Sequence, residues 1–187
     1  TGGADRGPYP YEATIFYIKA DGSDDADGLS VATAWKSFGK AFRTLEPGDT
    51  LYVSGGTYEE DFSAAPRGIS IRRRGSKPVI LKGSWALRDL DETELKRLTF
   101  FSSVVLNGDA GVTVDNCAFV ESGRLRASGV ADLRITHSLF FRPLLLDNCS
   151  TVYLSGNMYA GSPGVHLLND RQTILYSDYN SYAVTPD

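Results

Sequence analysis

Between residues 112 and 180 the chain states one plan four times, and this repetition limits its fold more than any other feature. The segments VTVDNCAFV, LRITHSLFF, VYLSGNMYA and ILYSDYNSY each run apolar–any–apolar, then small or polar residues, then an aromatic. They begin at Val112, Leu133, Val152 and Ile174, giving steps of 21, 19 and 22 residues. A step near twenty, with period-2 alternation inside each unit, predicts parallel β-strands wound into a coil, one turn per repeat. A second column, VVLNG, RLRASG, PLLLDN and VHLLND, recurs at matching steps. An antiparallel sandwich also has short, evenly spaced strands. Here, however, like residues recur over like residues, which favours the coil.

Alternation assigns the faces. In the first strand Val112/Val114, Leu133/Ile135, Val152/Leu154 and Ile174/Tyr176 are predicted to point inward, with Thr113, Arg134, Tyr153 and Leu175 outward. Beyond a corner, Phe119, Phe140, Tyr159 and, one residue late, Tyr182 should stack inside the coil. In the second strand Val104/Leu106, Leu125/Ala127, Leu144/Leu146 and His166/Leu168 should face inward. Asn107, Ser128, Asp147 and Asn169 then suit the next corner, because short polar side chains bond neighbouring backbone. The outward positions of this strand read Val105, Arg126, Leu145 and Leu167. Three apolar residues of four would make a stripe that needs cover. The N-terminal arm, the 85–97 segment, or a partner chain (a second copy in a homo-oligomer included) is therefore expected over the Val105/Leu145/Leu167 face.

Read in order, residues 1–13 form an arm, 14–50 a strand, an acidic loop and a capping helix, and 51–187 the coil, all one domain. The strand is TIFYIKA and the loop DGSDDADG. Ser23, Asp25 and Asp27 alternate before Gly28 like calcium ligands, but Thr33 to Ser37 lack the acid that would complete the set. An acidic turn leading into a helix is the primary reading, with calcium left open as the one cofactor; no other metal site is expected. From Ala32 to Leu45, Trp35, Phe38, Phe42 and Leu45 fall on one helical stripe, suited to sealing the end of a solenoid. Gly55-Gly56 is read as a turn. Ile69/Ile71 and Val79/Leu81 are read as strands flanking a solvated basic turn, Arg72-Arg73-Arg74-Gly75, whose alternative partner is an acidic glycan. From Trp85 to Arg97 the repeat is lost, and ETELKRL reads as a short helical insertion or a loop.

At 187 residues with a net charge of −4 and a pI near 5.2, the chain has no general attraction for nucleic acid or an anionic membrane. No apolar run approaches the ~18 residues of a membrane span. The chain opens at Thr1, which is read as the result of processing or trimming. Cys117 and Cys149 fall at different corners of successive turns and are expected to be unpaired buried thiols.

The segment YIKADGSDDADGLSVATAWKSFGKAFRTLEPGDTLYVSGGTY resembles the opening of secreted bacterial right-handed parallel β-helix proteins, the pectate-lyase-like superfamily. SDYNSY, at 177–182, is similar to a late-turn element of its carbohydrate-active members. The resemblance implies an all-β right-handed parallel β-helix with an N-terminal capping α-helix, a secreted or periplasmic location, and a polysaccharide partner. Such proteins include polysaccharide lyases, glycoside hydrolases, epimerases and members without known chemistry. Longer relatives continue past SDYNSY, so the chain is read as a short module or a piece of a longer protein.

β-Elimination on a uronic-acid glycan needs a cation to neutralise the carboxylate and a base to take the C5 proton. Arg134 and Tyr153 share an outward column on adjacent turns, and His137 lies at the corner beyond Arg134. These three are the catalytic candidates, with Arg126 and Thr113 as substrate-binding candidates. Each also has a plain reading as an exposed strand or corner residue. No hydrolase pair of stacked acids occurs, since Asp115, Glu121, Asp132 and Asp147 do not share a column. A non-catalytic carbohydrate-binding module and a structural or assembly subunit are the alternatives to an enzyme.

Overall fold

In the computed structural model the described residues are 12–108, 111–160, 164–168 and 173–183. The chain begins with β1 (Ile15–Ile18), α1 (Phe38–Thr44), β2 (Thr50–Tyr58) and β3 (Ser70–Leu81). It then repeats a three-strand turn five times. The first of these turns is β4 (Trp85–Leu90), β5 (Thr93–Lys96) and β6 (Thr99–Phe100). The second is β7 (Val104–Gly108), β8 (Val112–Asp115) and β9 (Ala118–Phe119), and the third β10 (Leu125–Ser128), β11 (Asp132–Thr136) and β12 (Leu139–Phe140). β13 (Leu144–Asp147), β14 (Thr151–Ser155) and β15 (Met158–Ala160) follow, then β16 (Val165–Leu168), β17 (Ile174–Asp178) and β18 (Ser181–Ala183). Every strand pairing is parallel, in one sheet of 13 strands and one of five, which excludes the antiparallel sandwich. The expected fold class, a parallel β-helix, is the one observed. Among the described residues no helix is long and apolar enough to cross a membrane.

Inside the coil the expected ring column is present: Phe119 lies 5.0 Å from Phe140 and Phe140 5.3 Å from Tyr159, all stacked and buried. It extends to Phe100 at one end and Tyr182 at the other. A polar column runs beside it at the inner corner. The Cys117 N–H donates to Ser138 Oγ, the Ser138 N–H to Asn157 Oδ1, and the Asn157 N–H to Asn180 Oδ1. Each side chain thus satisfies a backbone donor of the turn below it, as buried corners require. Cys117 and Cys149 are buried and outside any disulfide, as expected.

In the last turn the register differs from the expected one by a residue. Leu175, not Ile174, faces Val152, and Tyr176 faces Tyr153, so Leu175 joins the inward column and Ile174 and Tyr176 point out. The true step is therefore one longer, which is why Tyr182 looked late. The second column shifts by one residue in the opposite direction, its step being one shorter than expected. Val165 and Leu167 continue the inward Leu144 and Leu146 positions, while His166 faces Leu145 and is exposed. The outward column reads Val105, Arg126, Leu145 and His166, so the apolar stripe is broken at both Arg126 and His166. Leu167, 43% exposed, is bare because it is an inward residue of the last turn and nothing described follows it. The 1–13 arm lies almost wholly outside the described residues.

Three other expectations are corrected. The helix spans only Phe38–Thr44, because Trp35 is extended: its N–H donates to Tyr17 O and its carbonyl accepts from Lys19 N, at 2.9 Å each. Trp35 instead fills the space beneath the acidic loop, its ring stacked on Phe16 at 4.8 Å and its indole N–H on Ala26 O. Gly28, at φ 74°, tolerates this because a Cβ there would lie 2.4 Å from the ring. Ser37 caps the helix, and Phe38 meets Tyr58, Phe62 and Trp85 edge-on. Trp85 in turn contacts Phe100, where the inner ring column begins. Second, residues 85–97 are no insertion: β4 keeps the register through Leu87 before a bulge, and β5 keeps it throughout, with Thr93 facing Val112 and Leu95 facing Val114. A buried Thr93 in an apolar slot hid the repeat. Third, Gly55-Gly56 and Arg72–Arg74 lie within β2 and β3 instead of forming free turns.

Candidate functional site

The outward face of the five-stranded sheet carries a cleft of about 600 Å³ over β4, β7 and β10. Its position follows from side-chain size. Ala86 and Val105 leave a low floor beside Arg126, and Asn107 and Ser128 form the neighbouring column. The remaining wall comes from a bulge. Leu87 faces Leu106 and Leu90 faces Gly108, so Arg88 and Asp89 together oppose Asn107. Asp89 takes φ 54°. An extra residue of this kind re-aims side chains out of the ladder, and here it lines the cleft with Arg88 and Asp89.

The two guanidiniums differ. Arg126 Nη2 donates to the mostly buried Asp147 Oδ2, which Ser128 Oγ also approaches at 3.5 Å. Asp147 sits two residues beyond Leu145, the register partner of Arg126, so it belongs to the same outward face. Arg88 is exposed and forms no ion pair among the described residues. The cleft therefore offers one fixed and one available cation, an exposed carboxylate at Asp89, and amide and hydroxyl groups at Asn107 and Ser128. This set can bind a carboxylate-bearing, hydroxyl-rich ligand, with a planar fork for the carboxylate. The volume lies within the usual range of small-ligand sites.

Of the catalytic and substrate-binding candidates read from the sequence, only Arg126 lines this cleft. Thr113, Arg134 and Tyr153 form one outward column on the 13-stranded sheet, in the expected register. The Arg134 guanidinium lies 4.3 Å over the Tyr153 ring and reaches Asp132 at 3.3 Å. Tyr176 stacks on the other side, 4.7 Å away and tilted by 7°. With both faces covered, Tyr153 presents an edge and a hydroxyl, not a platform for stacking a sugar.

His137, at φ 50° on the corner, turns to Asp115 Oδ1 at 3.3 Å. Asp115 also receives Lys96 Nζ at 2.7 Å and Thr136 Oγ1 at 2.8 Å. Burial works against the charged Asp115, but these three hydrogen bonds outweigh it and hold its carboxyl below the usual range. An exposed imidazole fixed at one nitrogen by a carboxylate is oriented to use the other as a base.

Arg88 and Asp89 escaped the sequence reading, which gave Asn107 and Ser128 only as corner residues. The signal for β4 was Trp85-x-Leu87, which matches Val104-x-Leu106, but the bulge interrupts it after two positions. In the acidic loop Asp24 accepts from the N–H groups of Lys36 and Ser37 and from Ser37 Oγ, and Asp27 from Leu29 N. Among the described residues no three His, Cys, Asp or Glu side chains converge as metal ligands would.

These features make a parallel β-helix bearing an arginine-lined cleft on one sheet and a His–Asp pair on the other. Among solved structures a rhamnogalacturonan lyase is similar, with a TM-score of 0.50 at 9% identity over 91% of this chain. The chain spans 62% of the length of that enzyme, and at such identity the likeness is one of fold alone. No protein-family model and no curated protein matches the sequence.

Proposed function

We propose that this coil recognises an acidic polysaccharide, with a uronate residue seated in the cleft between Arg88 and Arg126. The observation that carries this reading is the β4 bulge, which puts Arg88, outside any ion pair among the described residues, on the wall of the cleft that the fixed Arg126 also lines, beside a floor of small side chains. A carboxylate reaches Arg88 without breaking an existing ion pair, while Asn107 and Ser128 meet ring hydroxyls. The resemblance of the N-terminal segment to secreted carbohydrate-active β-helices supports the same partner and an extracellular or periplasmic site of action. Titration calorimetry with short oligogalacturonates is the test. Arg88→Ala should cost roughly 2–3 kcal/mol of binding, the scale of a lost charge-assisted contact. Unchanged affinity in this variant would defeat the assignment.

A finer reading, β-elimination, is favoured by the Asp115–His137 pair. In it His137 takes the C5 proton, the electron pair left behind forms the C4=C5 double bond as the C4–O glycosidic bond breaks, and the leaving oxygen takes a proton from solvent. Arg134 neutralises the carboxylate, and Tyr153, with Thr113 beside Arg134, contacts the sugar by its hydroxyl. Because these residues lie on the other sheet, the two readings separate experimentally. Unsaturated, ultraviolet-absorbing ends lost in His137→Ala but kept in Arg88→Ala would place the chemistry on the 13-stranded sheet. Binding without any product would leave a carbohydrate-binding module.

A further inference from the structure

The basic run that sequence reading treats as a solvated turn is built into the coil. Ser54 faces Arg74 and Gly56 faces Val79, so residues 75–78 leave the β3 ladder as a protrusion opposite Gly55. A Cβ on Gly55 would lie 2.3 Å from Lys77 Cβ and 2.9 Å from its backbone. The glycine thus lets the protrusion sit directly on β2, which fixes it in place. From the next turn, Arg97 at its left-handed corner donates from Nη2 to the Gly75 carbonyl at 3.3 Å. Arg73 and Arg74 thus lead into the protrusion, Lys77 lies within it, and Arg97 is bonded to its first residue.

None of these four cations forms an ion pair among the described residues, whereas Arg72 just before them is bound to Glu94 at 2.6 Å. Arg73 is the telling member. It occupies the register position of Val53 and Ile18, both fully buried. Its Nε is shut off from solvent and has no hydrogen-bond partner. Burial and the charge of Arg97 both act against its charged form. A partly desolvated guanidinium beside a like charge is costly until an anion joins it. In a chain of net charge −4, such a concentration is a local construction and not a background property.

We propose that Arg73, Arg74, Lys77 and Arg97 form an anchoring site for the carboxylates of an acidic polysaccharide, separate from the cleft. This rests on the reading of the cleft as a uronate site, and it makes the polymer, not the short oligomer, the preferred ligand. A polyuronate is favoured over nucleic acid because the cleft on the same coil is read as a uronate site, which a nucleic acid would leave unfilled.

The test compares the intact protein with the double variant Arg74→Glu/Lys77→Glu, at two exposed positions whose change should leave the melting temperature in place. Affinities for polygalacturonate and for trigalacturonate are measured at low and near-physiological salt. Charge reversal should weaken polymer binding roughly tenfold and flatten its salt dependence, while trigalacturonate affinity stays within about twofold. Arg88→Ala should instead act on the short oligomer, weakening trigalacturonate binding about thirty- to a hundredfold. If Arg88→Ala leaves trigalacturonate unaffected while charge reversal still weakens polymer binding, the cleft assignment fails and the anchor stands. Polymer affinity and salt dependence unchanged by charge reversal overturns the anchor. So does single-stranded DNA binding as tightly as polygalacturonate, since the patch would then be a general cation exchanger.

Discussion

Tyr159 illustrates how one atom can be mismatched to its place. Its ring continues the Phe119–Phe140 column, but its hydroxyl is buried with no hydrogen-bond partner. Burial pushes its ionisation well above the ordinary phenol range. Because an unpaired buried hydroxyl costs about 1–3 kcal/mol, Tyr159→Phe should be neutral or stabilising by ~1 kcal/mol in urea melts; a clear loss would mean the hydroxyl has a partner. Cys117 is the converse case, since its thiol lies near the Leu95 and Asp115 carbonyls. Burial pushes it up to about 12, so it should resist thiol reagents at pH 8 in the folded state and react once unfolded. Asp115 gives a pH signature. Its lowered pKa means that its ionised form stabilises the fold above the ordinary carboxylate range, and that this contribution is lost as pH falls through the lowered value. Lys96, raised chiefly by its hydrogen bond to Asp115, contributes below its ordinary range and loses that as pH rises through the raised value. The stability gap between wild type and Asp115→Asn should thus be full at neutral pH and close on acidification. A gap independent of pH would deny the carboxylate its role.

At the scale of elements, the acidic loop, Trp35 and the short helix act as one packed unit. Asp24 ties the loop to the start of the helix, Glu60 accepts from the Phe38 and Gly39 N–H groups, and Trp35 fills the space between loop and strand. Trp35→Ala should cost roughly 3–5 kcal/mol, the range for a large buried aromatic. Phe38→Ala should cost a similar amount, because its ring meets Tyr58, Phe62 and Trp85. If the Trp35 loss were under about 1 kcal/mol, the loop would not depend on this ring.

Across the whole molecule, protection is unequal along the coil. Core residues from Ile18 to Tyr159 are buried, whereas Ile174, Leu175, Tyr176 and Tyr182 of the last described turn are 39–60% exposed. A solenoid turn is held by its neighbours, and this one has a described neighbour on one side only. Amide hydrogen exchange should therefore be fastest in β17 and β18 and slowest in the β8–β11 region. Equal protection in both would show that the last turn is covered in solution.

The sequence alone determined the coil, because stacking identical positions at one step leaves a periodic mark that needs no three-dimensional information. The Phe119–Phe140–Tyr159 column and the Arg134–Tyr153 contact were legible for that reason. Where a turn departs from its neighbours the mark fades. A buried Thr93 in an apolar slot concealed a whole turn, and one-residue shifts, longer in β17 and shorter in β16, moved Leu175 and Leu167 from their expected faces. The helix boundary was decided by Trp35, whose backbone was drawn into pairing with β1, a long-range preference no local stripe records. Tertiary structure alone decided the cleft. The bulge that opposes Arg88 and Asp89 to Asn107 exists only when β4 is laid against β7, and bringing Arg73 to Arg97 likewise takes two turns in register.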